Sequence, residues 1–269
     1  MFKFFSFFAV VILMLSCSDE DTVPSEAVTE FSPQSYHFIN MDYPINMAIS
    51  LSLDNLVKIE YDGNNKMIKR VGGKYYLAAG AGASSVFTNE IYDELIYSNN
   101  LIQINRKTSS TNYFIHDFER KLILDNQNRV IKKTTYQETT YPYNDTINYF
   151  YNSSGQISET FKGRLDSFNE RAKFYYNQNG NLDSIVLKKQ YQNEPYHSKE
   201  VEVFSDFDNT PNPLKKLIIF EETFNRALSK NNYSKYEKFT YSGNILINTE
   251  IRNWNLQYDA SGNINFNAI

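Results

Sequence analysis

A single cysteine, Cys17, occurs in 269 residues. One thiol excludes an internal disulfide framework and a multi-thiolate metal site. Histidine is nearly as scarce. His37, His116 and His197 stand far apart, without the spacing of a metal-ligand or catalytic pair, so they read as turn or surface residues. No Gly-x-Ser-x-Gly nucleophile elbow occurs. The oxygen-rich stretches at residues 125–128 and 206–212 lack the spaced ligand set and terminal Glu of a calcium loop, so they are assigned to turns. Glu221-Glu222 reads the same as a solvated face. No catalytic residue, metal or cofactor is therefore expected. Nor is there a basic excess: 27 Lys and Arg face 31 Asp and Glu, for a net charge of −4. That argues against nucleic acid as the main partner.

An apolar run of the roughly 20 residues needed for a membrane-spanning helix is also missing. The longest apolar run, residues 4–15, follows Lys3 and is closed by Ser16 and Cys17. Its length and position predict a cleaved secretory signal over residues 1–16. Met14-Leu15-Ser16-Cys17 resembles the bacterial lipobox, with Met14 where the family usually has Leu. The resemblance implies cleavage before Cys17 and acylation of that residue. Two or more acyl chains, such as diacylglycerol with palmitate, hold a protein on a membrane stably. Ser18, Asp19, Glu20 and Asp21 follow at once. An acidic cluster at this place resembles the surface-export signal of Bacteroidota lipoproteins, although an ordinary solvated linker has the same composition. Residues 17–35 are polar, with Pro24 and Pro33, and read as the lipidated cysteine and a flexible tether.

What the chain does have is aromatics and alternation. Tyr and Phe number 21 and 20, against 10 glycines and 7 prolines. From residue 36 onward one phrase returns: an aromatic or apolar residue, then Asp, Asn or Ser, then polar residues, then Gly or Asn, and an apolar residue soon after. Tyr61, Tyr97, Leu124, Tyr151, Tyr176, Phe207, Tyr241 and Tyr258 mark the copies. Each is a strand, a tight turn and the returning strand. Residues 36–269 are thus expected to form one mainly β domain, an antiparallel meander of hairpins in a large twisted, rolled or layered sheet. Residues 88–97 fit a helix or a strand, and the turn chemistry after them decides for a strand. Gly72-Gly73 is expected to end a strand pair, residues 208–213 to turn, residues 214–220 to return as a strand, and residues 221–229 to form at most one short helix.

The phrase resembles the YD repeats of Rhs-type shells, most closely at Tyr258-Asp259-Ala260-Ser261-Gly262-Asn263-Ile264. The Arg of that repeat is matched only by Arg129. Taken with the lipobox, the chain looks like an uncharacterised Bacteroidota-type family of surface lipoproteins built from such hairpins. The resemblance supports the fold and implies no activity.

Two function classes remain. One is a non-catalytic binding or structural module at the outer membrane surface, taking a glycan or protein ligand on aromatic and Asn-rich sheet. The other is an envelope hydrolase whose carboxylates converge only in the fold. The first is favoured, because the second needs an activated group that the sequence does not display. In Phe174-Tyr175-Tyr176 adjacent side chains must point to opposite faces, so some of these rings are core and others lie on the second face.

The address is directly testable. Cys17→Ala should abolish incorporation of labelled fatty acid and leave the precursor uncleaved or the protein soluble. Labelling that persists in the variant would refute the lipidation site.

Overall fold

The computed structural model describes residues 31–41, 48–50, 55–76, 85–113, 118–137, 143–163, 168–191, 198–260 and 264–265. The signal, Cys17, the acidic cluster at 18–21, the tether to residue 30, most of the small-residue stretch at 78–85, His116 and His197 lie outside the described residues.

The domain is a meander. Its elements are β1 (Ser35–His37), α1 (Phe38–Met41), β2 (Ala48–Ser50), β3 (Leu56–Tyr61), β4 (Met67–Tyr76), β5 (Ser85–Ser98), β6 (Leu101–Thr108), β7 (Phe118–Leu124) and β8 (Val130–Gln137). They continue as β9 (Tyr143–Tyr151), β10 (Ile157–Gly163), β11 (Phe168–Tyr176), β12 (Leu182–Tyr191), β13 (Ser198–Pro211), a 3-10 turn (Pro213–Leu217), α2 (Glu221–Ala227), β14 (Asn231–Ser242) and β15 (Ile245–Asn253). All the strands share one sheet, ordered β1, β3, β4 and so on to β15. Every neighbouring pair along that path is antiparallel, and β2 alone joins in parallel, beside β5. The sheet is open, with β1 and β15 at its edges.

Four copies of the repeat make the same turn, and its chemistry explains why the phrase recurs. Asp62, Asp125, Asn152 and Asn177 each donate a backbone N–H to the carbonyl four residues on, at 2.8–3.0 Å. Their side-chain oxygens accept the N–H groups two and four residues on, at 2.9–3.2 Å. Asn65, Asn128, Gly155 and Gly180 hold φ between 59° and 80°, the region that Asn and Gly tolerate best. Three of the marker tyrosines also tie each hairpin to an earlier segment. Tyr61 donates its hydroxyl to the Pro33 carbonyl (2.8 Å), Tyr151 to Val130 (2.7 Å) and Tyr176 to Ile157 (3.0 Å). Burial pushes these phenols above their usual range, Tyr151 to about 12, so they remain donors. The Tyr97 and Tyr241 copies close instead as two-residue turns, Ser98 pairing Leu101 and Ser242 pairing Ile245.

Three expectations are corrected. Gly72-Gly73 does not end a strand: β4 runs on, and Gly72 absorbs a bulge at φ 103° where a Cβ would lie 2.9 Å from the Phe87 ring. Residues 208–213 do not turn as a unit: Asp208 accepts the Thr210 N–H at 3.3 Å, but its carboxylate also takes the Thr210 hydroxyl and the Asn232 backbone and side-chain N–H groups across the ladder, and β13 continues to Pro211. Residues 214–220 are not a strand. Asn212 accepts the Leu214 N–H at 2.9 Å and Pro213 opens a 3-10 turn. Residues 88–97 are strand, within β5, and a short helix does occupy residues 221–227.

One face of the sheet is apolar, and the segment from Pro213 to Ser229 covers it. Leu214, Leu217 and Phe220 pack with Val57, Ile59, Phe87, Leu95 and Ile104. Phe224 and Leu228 pack on a second cluster of Phe174, Leu182, Ile185, Phe204 and Tyr236. Arg226 is buried in that region, donating to the Tyr233 carbonyl at 3.0 Å with its guanidinium 4.3 Å from the Tyr233 and Trp254 ring centres.

Asn177→Ala removes the acceptor for two N–H groups and should lower stability by about 1–2 kcal/mol in urea unfolding. Gly180→Asn should cost little, since Asn65 and Asn128 already hold that position. Gly180→Val should cost more than either, because a β-branched residue resists positive φ.

Candidate functional site

Because strand side chains alternate, the two faces of the sheet carry two different sets of charge. On the inner face the charges pair. Asp93 on β5 is fully buried and receives Arg70 (3.3 Å), Arg106 (3.0 Å) and Arg120 (2.7 Å) from β4, β6 and β7. Burial works against its charge, but the surrounding guanidiniums outweigh that and hold the carboxyl well below the usual carboxylate range. Arg70 also pairs with Glu222 on α2 and donates to the Tyr36 hydroxyl at 3.0 Å, and Tyr36 in turn donates to Glu222 at 2.5 Å. Beside it Glu221 takes Lys133 of β8 at 2.7 Å. The Glu221-Glu222 pair is therefore the fastening of α2 to the sheet.

Farther along the inner face, Lys162 pairs Asp145 at 2.6 Å, and Glu200 accepts Lys189 (2.8 Å) and Lys238 (3.1 Å). Two carboxylates here diverge. Glu200 is drawn below its usual value: its two lysines prevail over burial. Glu202, two residues on, is raised to about 7 by burial, with the Asn225 amide donating to it at 3.1 Å.

The outer face holds an open groove of about 580 Å³ over β10 to β12. Phe161 comes from β10, Asn169, Arg171, Lys173 and Tyr175 from β11, and Val186, Lys188 and Gln190 from β12. Register fixes this assembly: Arg171 lies opposite both Phe161 and Lys188, Lys173 opposite Val186, and Asn169 opposite Gln190. Arg171 rests over the Phe161 ring and pairs with Glu159. Tyr175 is 48% exposed, while its neighbours Phe174 and Tyr176 turn toward the inner core. The aromatic phrase thus divides between the two faces.

The other sequence candidates are placed differently. His37 lies on β1. Asp125 accepts the Gln127 and Arg129 N–H groups and the Arg129 side chain, and those bonds draw it below its usual value. Asp208 accepts Thr210, Asn232 and the Tyr258 hydroxyl. Sequence reasoning passed over Arg171, Lys173 and Lys188. The alternation at 171, 173 and 175 groups the β11 residues on one face, but no local signal brings in Lys188 or Phe161.

No family model matches the chain, and no curated protein matches it. Among solved structures it is similar to a porin-like protein from Bacteroides vulgatus, with a TM-score of 0.49 and 11% identity over 78% of this chain and 84% of that one. It is also similar to a porin-like protein from Bacteroides uniformis, with a TM-score of 0.46 and 10% identity over 78% of this chain and 80% of that one.

Asp93→Asn leaves buried guanidiniums without their carboxylate and should cost about 3–5 kcal/mol in chemical denaturation. In the wild type, the folded carboxyl sits below its unfolded value, so its stabilisation is full above about pH 4 and is lost as pH falls below it. The unfolding midpoint should drop with acid more steeply in the wild type than in Asp93→Asn.

Proposed function

We propose that this protein is a non-catalytic binding module, held on the outer membrane by a lipid on Cys17 and displayed at the cell surface. The groove over β10 to β12 is its ligand site, for a glycan or a protein surface. The carrying observation is the exposed Tyr175 ring set among Arg171, Lys173, Asn169 and Gln190 on a face the core does not use. Exposed rings beside amide and cationic side chains give apolar contact and hydrogen bonding in one place. The lipobox-like Met14-Leu15-Ser16-Cys17 and the acidic cluster after it support the address.

One observation favours the hydrolase reading: Glu200 and Glu202 are pushed apart in pKa on the inner face, as an acid and base pair would be. Its test is turnover on envelope substrates that disappears in Glu202→Gln.

The binding reading is tested by screening the mature protein against glycan and protein panels, with hydrolase assays alongside. Tyr175→Ala should leave the unfolding midpoint within error and weaken the best ligand by about tenfold or more, as loss of an aromatic anchor does. Turnover that vanished with one carboxylate substitution would overturn the proposal.

A further inference from the structure

The same strands treat charge in opposite ways on their two faces. Inside, signs alternate across the strands: Glu170 lies opposite Lys189, Glu202 opposite Lys238, and Lys238 opposite Glu250. Outside, one row sets like charges opposite each other, although Arg171 at its end also pairs with Glu159. Arg171 on β11 lies opposite Lys188 on β12, and Lys188 lies opposite Lys199 on β13. Lys173 adds a further cation in the adjacent row, opposite Glu159. Like charges directly across a ladder destabilise a sheet. The inner face of these strands shows that the fold accommodates the stabilising arrangement. The cationic row also runs against the chain's overall acidity of −4.

Aromatic rings bound this row at both ends. Phe161 lies opposite Arg171 at one end, and Tyr241 lies opposite Lys199 at the other, with the Lys199 ammonium 4.1 Å from the Tyr241 ring centre. The row therefore extends past the groove, from β10 across to β14. Each of these five strands is hydrogen-bonded on both sides. A peptide cannot add itself here as a further strand, the mode that uses its backbone. What the surface offers is side chains alone: rings, amides and cations.

We propose that this row binds an acidic polysaccharide, its carboxylate or sulfate groups on Arg171, Lys188 and Lys199 and its sugar rings against Phe161, Tyr175 and Tyr241. The inference rests on the binding reading of the groove and names the ligand class.

The experiment titrates the mature protein with polygalacturonate, heparin, neutral dextran and poly-glutamate at low and moderate salt. Binding to polygalacturonate or heparin is expected, weakening as salt rises, and the stronger of the two identifies carboxylate or sulfate as the preferred anion. Lys188→Gln and Lys199→Gln should each reduce that binding by about tenfold, the loss of one charge-assisted contact. Lys58→Gln, at an exposed lysine on β3, should leave it unchanged. At low salt Lys188→Gln should unfold no earlier than the wild type, since it removes like-charge opposition. Equal binding of poly-glutamate would overturn the proposal in favour of general charge attraction. Binding of dextran that ignores the lysine variants but is lost in Tyr175→Ala would overturn the anionic class and leave the binding module intact. If no probe binds, the acidic-polysaccharide assignment fails, and a screen in which Tyr175→Ala alters no interaction removes the binding reading with it.

Discussion

A single sheet has two faces and can bury neither unless something lies against it. That constraint organises this protein. With one sheet holding every strand, the apolar face needs a second layer, and the connection between β13 and β14 supplies it. Pro213 to Ser229 lays Leu214, Leu217 and Phe220 on one cluster and Phe224 and Leu228 on the other. The two clusters lie under different strands, so this one segment bridges both halves of the meander.

The segment is fastened as well as packed. Glu222 reaches Arg70 and Tyr36, and Glu221 reaches Lys133, each from a different part of the sheet. Arg70 in turn shares Asp93 with Arg106 and Arg120. Buried charges of this kind stabilise little by themselves, yet removing one partner leaves the rest uncompensated. The network ties α2 to the sheet at three separate points, Tyr36, Arg70 and Lys133.

Covering the inner face leaves the outer face of β10 to β12 open to solvent. Its residues are not needed to hold a second layer, so rings and cations can be displayed there without loss of core. In the row across β11 to β13 three cations stand opposite one another, whereas behind it cations stand opposite carboxylates. Parity thus divides each strand of the sheet: alternate positions face the covered core and the open outer face.

The hairpins were legible in the sequence because their cause is local. An Asp or Asn that caps its own turn, followed three residues later by Asn or Gly at positive φ, is written within one short phrase. The meander follows from such phrases in succession. The bulge at Gly72, the long β13 and the 3-10 turn at Pro213 were not legible, because distant partners decide them: Phe87 for the first, Asn232 for the second, and the need to cover the sheet for the third. The groove and the cationic row that extends past it belong to the same class. Phe161, Arg171, Lys188 and Lys199 are brought abreast by register alone, and register depends on the length of each turn and on each bulge between them. A shift of one residue in any strand would send its side chains to the other face. Sequence fixes the side chain at each position, while only the folded sheet decides which of them share a face and stand opposite one another.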